Sequence, residues 1–338
     1  MADYGLYFDG EDDYVSIPHS DSLNVTDFTV IVFSQFLGEG TAGKAYWTII
    51  AKNNEGMGKY DMFHIGVHSN EHKIWARIGD GNSFPEIYGR TINVGENFCV
   101  VLRRNGTSID LLLNNELQGS KTLSDYYSNT DPVILGKWEP YDNYYNGKIY
   151  LVLIYNRALS DTEIQQIYND PTNPPTDGLV LWLAPDSVDT ANDIWTDKSG
   201  QGNDGTIYGC LYIPTRWTTK DGVLTIEEIW ELNTVRFNYP WPASIKNRIN
   251  RVVEVMPTLN NTYVVFDKAL GGEEVTFTFY LDPDYDDDEN LRSLILQGGV
   301  IKVRTPDLRY YGDYVIKNTD WDIDAFNKYI LKITAVRV

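Results

Sequence analysis

Between residues 4 and 155 the chain repeats one pattern, a short apolar run closed by turn chemistry, at a spacing of roughly eight to twelve residues. The runs include Tyr14-Val15-Ser16-Ile17, Phe28-Thr29-Val30-Ile31-Val32-Phe33, Trp47-Thr48-Ile49-Ile50, Phe98-Cys99-Val100-Val101-Leu102 and Ile109-Asp110-Leu111-Leu112-Leu113. The breaks include Asn53-Asn54-Glu55-Gly56, Gly79-Asp80-Gly81-Asn82 and Asn114-Asn115. Many short strands at regular spacing specify an antiparallel β-sandwich. Arg104-Asn105-Gly106-Thr107, set between two such runs, predicts a hairpin, because Asn-Gly tolerates the positive φ angles of a type I′ turn.

One helix interrupts the strands. Ser160-Asp161-Thr162-Glu163 has the form of a capping box, and Ile164, Ile167 and Tyr168 give the following turns an apolar stripe that Asn169-Asp170-Pro171 ends. A Pro-rich connector, 172–176, leads to a strand at Gly178-Leu179-Val180-Leu181-Trp182-Leu183 and a tight turn at Ser199-Gly200-Gln201-Gly202-Asn203-Asp204-Gly205. Leu179, Leu181 and Leu183 are expected on one face of that strand, with Val180 and Trp182 on the other.

Charge and composition exclude several partners. With 28 Lys+Arg against 48 Asp+Glu the chain carries a net charge of -20, which repels phosphate backbones and anionic lipid, so neither nucleic acid nor a membrane is an expected partner. No apolar run reaches the ~18 residues of a membrane helix, and Met1-Ala2-Asp3-Tyr4 lacks the basic start of a secretory signal. Cys99 and Cys210 are read as small buried hydrophobes. The 24 Tyr and 9 Trp, beside abundant Gly, Asn and Asp, fit a strand-rich protein that recognises ligands with flat aromatic faces.

Residues 6–210 resemble the laminin-G-like members of the concanavalin A-like lectin/glucanase superfamily. The residues that carry the resemblance are Leu6-Tyr7-Phe8-Asp9-Gly10-Glu11-Asp12-Asp13-Tyr14-Val15, the central hairpin, and Gly147-Lys148-Ile149 through Ile154-Tyr155-Asn156-Arg157-Ala158-Leu159-Ser160. The strand at 178–183 and the turn at 197–205 look like the leader strands that this family carries before its Phe-Asp-Gly segment, yet here they follow the helix. Either a second domain begins there, or the leader folds back on the first sandwich as a circular permutation. The second is expected, since a lone strand pair cannot bury its faces. The resemblance implies a jelly-roll sandwich over residues 1–212. It leaves function open, because the fold hosts lectins, adhesion modules and enzymes.

The sites follow from residue chemistry. Trp75, Tyr88, Trp138, Tyr141, Tyr144 and Tyr145 flank turns or strand ends, where aromatic faces can stack on sugar rings while Asn143 bonds hydroxyls. The loop Tyr141-Asp142-Asn143-Tyr144-Tyr145-Asn146 reads as too polar for core. No cofactor is required; calcium is the one ion for which the chain offers hard ligands, at Asp12 and Asp13. Against it, the family's Asp after Gly-x-Ile is Tyr150 here. His64, His68 and His72 recur every four residues, but Gly66 and the alternation around them indicate a strand running into a turn rather than a metal site. Paired strand carboxylates of the kind glycosidases use are missing, Asp110 standing alone between Ile109 and Leu111, so no enzymatic activity is expected.

Residues 213–222 lack periodicity and are expected as a linker. Residues 223–338 combine strands with a short helix opened by Asp286-Asp287-Asp288-Glu289, a small α+β domain. Asp282-x-Asp284-x-Asp286 mimics the start of an EF-hand but lacks its Gly and closing Glu. This region resembles the tube-like domain of distal-tail and baseplate-hub proteins of tailed viruses through Phe237-Asn238-Tyr239-Pro240-Trp241-Pro242, Arg251-Val252-Val253-Glu254-Val255, Val275-Thr276-Phe277-Thr278-Phe279-Tyr280 and Gly312-Asp313-Tyr314-Val315-Ile316. That resemblance implies a virion structural protein. It would be oligomeric within the particle, held by other particle proteins, and would display the sandwich to a glycan or host-surface receptor. A secreted carbohydrate-binding protein is the alternative, and either location is extracellular or on a virion.

Overall fold

The computed structural model describes residues 3–40, 45–53, 61–123, 125–138 and 141–220, with side chains to 218, and beyond 220 the backbone of the strands. In chain order the first part contains β1 (Tyr4–Asp9), β2 (Tyr14–Ile17), β3 (Phe28–Gly38), β4 (Tyr46–Lys52), β5 (Phe63–His68), β6 (Lys73–Arg77) and β7 (Glu86–Thr91). Then come β8 (Asn97–Asn105), β9 (Ser108–Leu113), β10 (Glu116–Thr122), β11 (Val133–Leu135), β12 (Lys137–Trp138), β13 (Asn143–Tyr144) and β14 (Asn146–Tyr155). They are followed by α1 (Asp161–Asn169), β15 (Leu179–Asp189), β16 (Ile194–Asp197), β17 (Gly205–Tyr208) and β18 (Leu211–Lys220).

The pairings are antiparallel and define two sheets. In the first, β10, β9, β8, β3 and β14 lie side by side, and β1 and β15 share the far edge of β14. The second runs β7, β6, β5, β4, β11, β2, β17 and β16, and the β15–β16 pairing joins the two. Residues from both inner faces, among them Phe28, Val30, Val32, Val100 and Leu111 from one sheet and Val15, Trp47, Ile65, Ile74 and Ile87 from the other, make one buried cluster. This is the β-sandwich expected from the alternation, packed as two facing sheets.

Fold-back of the segment after the helix is direct. Leu181, Trp182 and Leu183 pair with Ile154, Leu153 and Val152, and Thr206 to Tyr208 pair with Ser16 to Tyr14. A bulge shifts the register between Ile154 and Tyr155, and it changes which residues face inward. Val180, Leu181 and Leu183 enter the inter-sheet core, while Leu179 joins the half-buried Trp182 on the outer side. Strict alternation, which would place Leu179 with Leu181, fails at the bulge.

The outer face of the first sheet is covered by α1. Ile164 and Ile167 pack with Ile31, Val101, Leu151, Leu153 and Tyr155. The capping box forms as the sequence predicts: Glu163 N–H donates to Ser160 Oγ at 3.3 Å, and Ser160 N–H donates to Glu163 Oε2 at 2.9 Å. The hairpin at 104–107 also forms, with a shifted turn. Asn105 pairs with Ser108, so the two-residue loop is Gly106-Thr107, and Gly106 alone takes a positive φ, as a type II′ turn requires.

Residues 213–222, expected as a linker, fall mostly within β18. Ile213, Thr215 and Trp217, spaced by two, supply β-branched and aromatic side chains that outweigh Pro214. Two compact units result, residues Met1–Tyr212 with Trp217–Ile226, and Ile213–Arg216 with Glu227–Val338. In the second, nine antiparallel strands are ordered Val235–Phe237, Trp230–Leu232, Val300–Arg304, Gly312–Ile323, Tyr329–Arg337, Glu274–Leu281, Tyr263–Ala269, Arg251–Pro257, Ser244–Arg248. The expected helix after Asp286, the EF-hand-like acids and the loop at 238–242 lie outside the described residues.

Glu163 has its carboxyl pulled down to about 2, first by the Arg157 guanidinium at 2.6 Å and then by the Ser160 donors. A depressed carboxyl contributes stability above its unfolded value near 4.5 and loses it as pH falls through the folded value. Glu163→Gln should therefore cost about 1 kcal/mol at pH 7 in urea unfolding, with the difference vanishing toward pH 2. A cost independent of pH would contradict the assignment.

Candidate functional site

Among the described residues, no helix covers the outer face of the second sheet. Its register puts Tyr46 beside His68, His64 beside Arg77, Trp75 beside Tyr88 and Arg77 beside Glu86, all on that outer side, since neighbouring Trp47, Ile65, Val67, Ile74 and Ala76 point into the core. Tyr46 stacks on Trp75 with centroids 4.4 Å apart, and His68 meets Tyr46 edge-on at 5.1 Å. Tyr46 and Tyr88 hydroxyls are 3.2 Å apart, and Tyr88 donates to Glu86 Oε2 at 2.8 Å. The β12–β13 hairpin closes one side: Trp138 lies 5.0 Å from His64 and 4.6 Å from Tyr141.

Beneath these rings is a buried polar layer. Arg77 Nε donates to Asp61 Oδ2, and the guanidinium lies 4.7 Å from the Trp138 ring and 5.1 Å from Trp75. His64 shares a hydrogen bond of 2.8 Å with Thr48 through Nε2 and faces Asp61 through Nδ1 at 3.5 Å. Burial, outweighing Asp61, pushes His64 down to about 4, so it is neutral at physiological pH. Six buried polar atoms here have no hydrogen-bond partner among the described residues: Asp61 Oδ1, His64 Nδ1, Trp75 Nε1, Arg77 Nη2, Trp138 Nε1 and Asn143 Oδ1. Unsatisfied buried polar groups are costly.

The expected aromatics divide by exposure. Tyr88 and Tyr141 are each 42% exposed, Trp138 is half-buried, and all three belong to this face. Trp75 is wholly buried, supporting Tyr46 from below, so it offers no stacking face. Asn143 is buried, and Tyr144 is nearly so, its ring 5.5 Å from Lys137 Nζ. Tyr145 is a core residue: its hydroxyl donates to Gln35 O at 2.9 Å and lies 2.9 Å from Ser34 Oγ, and a side chain at Gly147 would lie 2.3 Å from its ring. The 141–146 loop is therefore only half a ligand loop: Tyr141 and Asp142 are exposed, and Asn143, Tyr144 and Tyr145 are buried. Sequence reasoning missed Tyr46, His68, Phe84 and Arg77. The signal was present in His64 and His68, four apart on a strand and hence on one face. His72 leaves that face, packing 5.0 Å from Phe36.

The expected metal ligands sit in a separate turn. Asp9, Asp12 and Asp13 bring carboxylate oxygens within 4.8 Å of one another, so Asp9 joins the pair read from the sequence. Asp9 N–H donates to Asp13 Oδ2 at 2.9 Å, and Asp9 Oδ1 accepts from Glu11 N–H at 2.8 Å. Burial, followed by the charges of Asp9 and Asp12, pushes Asp13 up to about 7. Three crowded carboxylates, one of them buried, fit a hard divalent cation. Tyr150, at the family's other ligand position, is buried and supplies none.

Two placements can be checked. Tyr145→Ala should lower stability by about 3–5 kcal/mol, whereas Tyr141→Ala should change it by under about 0.5, in matched denaturant melts. Calcium added to chelator-treated protein should raise Tm by about 5 °C, an effect that Asp9→Asn should remove. An unchanged Tm would exclude calcium from this turn.

Residues 9–165 match the concanavalin A-like lectin/glucanases superfamily. Among solved structures, a protein of Bacteroides ovatus described as carbohydrate-binding aligns with a TM-score of 0.50 at 13% identity, over 63% of this chain and 60% of its own. This chain thus spans about three fifths of that protein's length. The SAP-like pentraxin of Limulus polyphemus aligns at a TM-score of 0.38 and 12% identity, over 49% of this chain and 81% of its own. The CBM40 of the Ruminococcus gnavus IT-sialidase, bound to α2,3-sialyllactose, gives 0.39 and 16%, over 48% and 95%. A search of curated proteins gave no match.

Proposed function

With residues 9–165 a concanavalin A-like lectin/glucanase domain, we propose that the sandwich is a glycan-binding module and that its ligand face is the outer side of β4 to β7 with Trp138 and Tyr141. The observation that carries this reading is the combination on one face of accessible aromatic edges, at Tyr88, Tyr141 and Phe84, with the Tyr46 and Tyr88 hydroxyls and the Glu86 carboxylate beside them. Sugars present this pair of demands, a C–H face to stack and hydroxyls to bond. The fold likeness to the Bacteroides ovatus protein supports the same class of ligand. Binding without catalysis is supported by Asp110, whose oxygens are taken by Arg103 at 2.9 Å and Ser120 at 2.6 Å.

The biological setting within this proposal is a virion, the second unit docking on a tail or baseplate and the sandwich facing outward as one of several copies. It draws its support from the sequence resemblance of residues 223–338 to tail proteins. Immunogold microscopy should find the protein on particles; label confined to secreted, particle-free material would favour the secreted alternative.

For the binding face, a glycan array should give at least one positive polysaccharide. Tyr88→Ala with Tyr141→Ala should weaken it about tenfold or more, at ~1 kcal/mol per stacking contact, without loss of Tm. Unchanged affinity would remove this face from the site.

A further inference from the structure

Outside the matched residues 9–165, the returning segment builds a cavity of its own. It encloses about 170 Å³ on the outer side of the first sheet, near the end of α1, between Trp182, Trp217, Leu151 and Pro185, with Asp186 and Lys198 also lining it. The volume is below the roughly 300 Å³ of a drug-sized site and close to the ~150 Å³ that accepts a single six-membered ring.

Its walls and its polar groups differ in kind. Trp182 and Trp217 are half-buried against the outer cluster and supply flat faces. Lys198 Nζ lies 4.4 Å from the Trp182 ring and donates to both oxygens of Asp186, at 2.6 and 2.8 Å. That pair is partly exposed, Lys198 at 30% and Asp186 at 49%. The Trp182 Nε1–H is buried and has no acceptor among the described residues. A purely apolar ring would leave this donor unpaired, and an anion would meet Asp186. A neutral ring bearing hydroxyls meets the accessible groups: its face packs on Trp217, its oxygens accept from Lys198, and its hydroxyls donate to Asp186.

The cavity is also held in place before any ligand arrives. Asp197 accepts from Trp182 N–H at 2.9 Å, Ser199 N–H at 2.9 Å, Ser199 Oγ at 2.7 Å and Asn203 N–H at 3.0 Å, while Lys198 N–H donates to Trp182 O at 2.9 Å. The Ser199 to Gly205 turn thus fixes Lys198 over the indole. Rigid presentation of this kind lowers the ordering cost of binding.

We propose that this cavity is a second sugar subsite, sized for one terminal pyranose, on the opposite sheet from the aromatic face and independent of it. The test uses the full chain with methyl β-D-glucopyranoside, methyl β-D-galactopyranoside, methyl α-D-mannopyranoside and N-acetyl-D-glucosamine, read by saturation-transfer NMR and tryptophan fluorescence. At least one should bind with Kd at or below about 10 mM. Asp186→Ala, Lys198→Ala and Trp182→Phe should each weaken it about fivefold or more with Tm retained, the first two being surface changes. Silence across the panel, or binding that survives all three cavity substitutions, would overturn the subsite. None of these outcomes bears on whether a polysaccharide binds the aromatic face, which the array reads separately.

Discussion

Strand β14 is buried on both faces along almost its whole length, and the rest of the sandwich is arranged to cover it. Val152 and Ile154 point into the inter-sheet core, Leu151, Leu153 and Tyr155 into the outer cluster. Burying a side chain of this kind contributes about 1.5–3 kcal/mol, so both sides must be closed. On the inside the second sheet does this. On the outside α1 does, anchored by its capping box and by Arg157 on Glu163. At its edge, β14 has more backbone groups than β1 alone can satisfy, and β15 pairs with the remainder. The return of residues 179–208 follows from that demand.

Covering β14 leaves the second sheet with an outer face that no helix among the described residues protects. That face has an irregular, polar and aromatic character that a core would not tolerate. Tyr46 and Trp75 stack, Arg77 pairs with Asp61, and His64 is held neutral, yet several donors and acceptors stay unpaired. The paired strands β12 and β13 border it, with Trp138 on this side and Lys137 toward Tyr14 and Tyr144. Structure and candidate function are linked here: the sheet that needs least from its outer face for stability is the one free to carry recognition.

Much of this was legible in the sequence. Turn spacing gave the sandwich, Ser160 and Glu163 the helix start, and the leader-like Leu179 to Leu183 run its pairing partner. Exposure was not legible. Tyr145 and Tyr141 sit in one polar hexapeptide, yet one is a core pillar held by Ser34 and the Gln35 carbonyl, and the other a surface ring against Trp138 in the turn before β13. Trp75 looked like a rim residue and is a floor, since its cross-strand neighbour Gly66 leaves room for Tyr46 to cover it. Asp9 was overlooked beside Asp12 and Asp13 because only the folded turn brings its carboxylate back to them. The bulge at β15 moved Leu179 outward, a change that no alternation rule contains.

Hydrogen–deuterium exchange on the full chain, with and without a glycan that it binds, tests the location of the ligand face most directly. The account predicts slowed exchange in residues 63–68, 73–77, 86–91, 137–138 and 141–144, the backbone beneath and beside the aromatic face. Protection confined to residues 9–14 or to 179–205, with none on those strands, would contradict it.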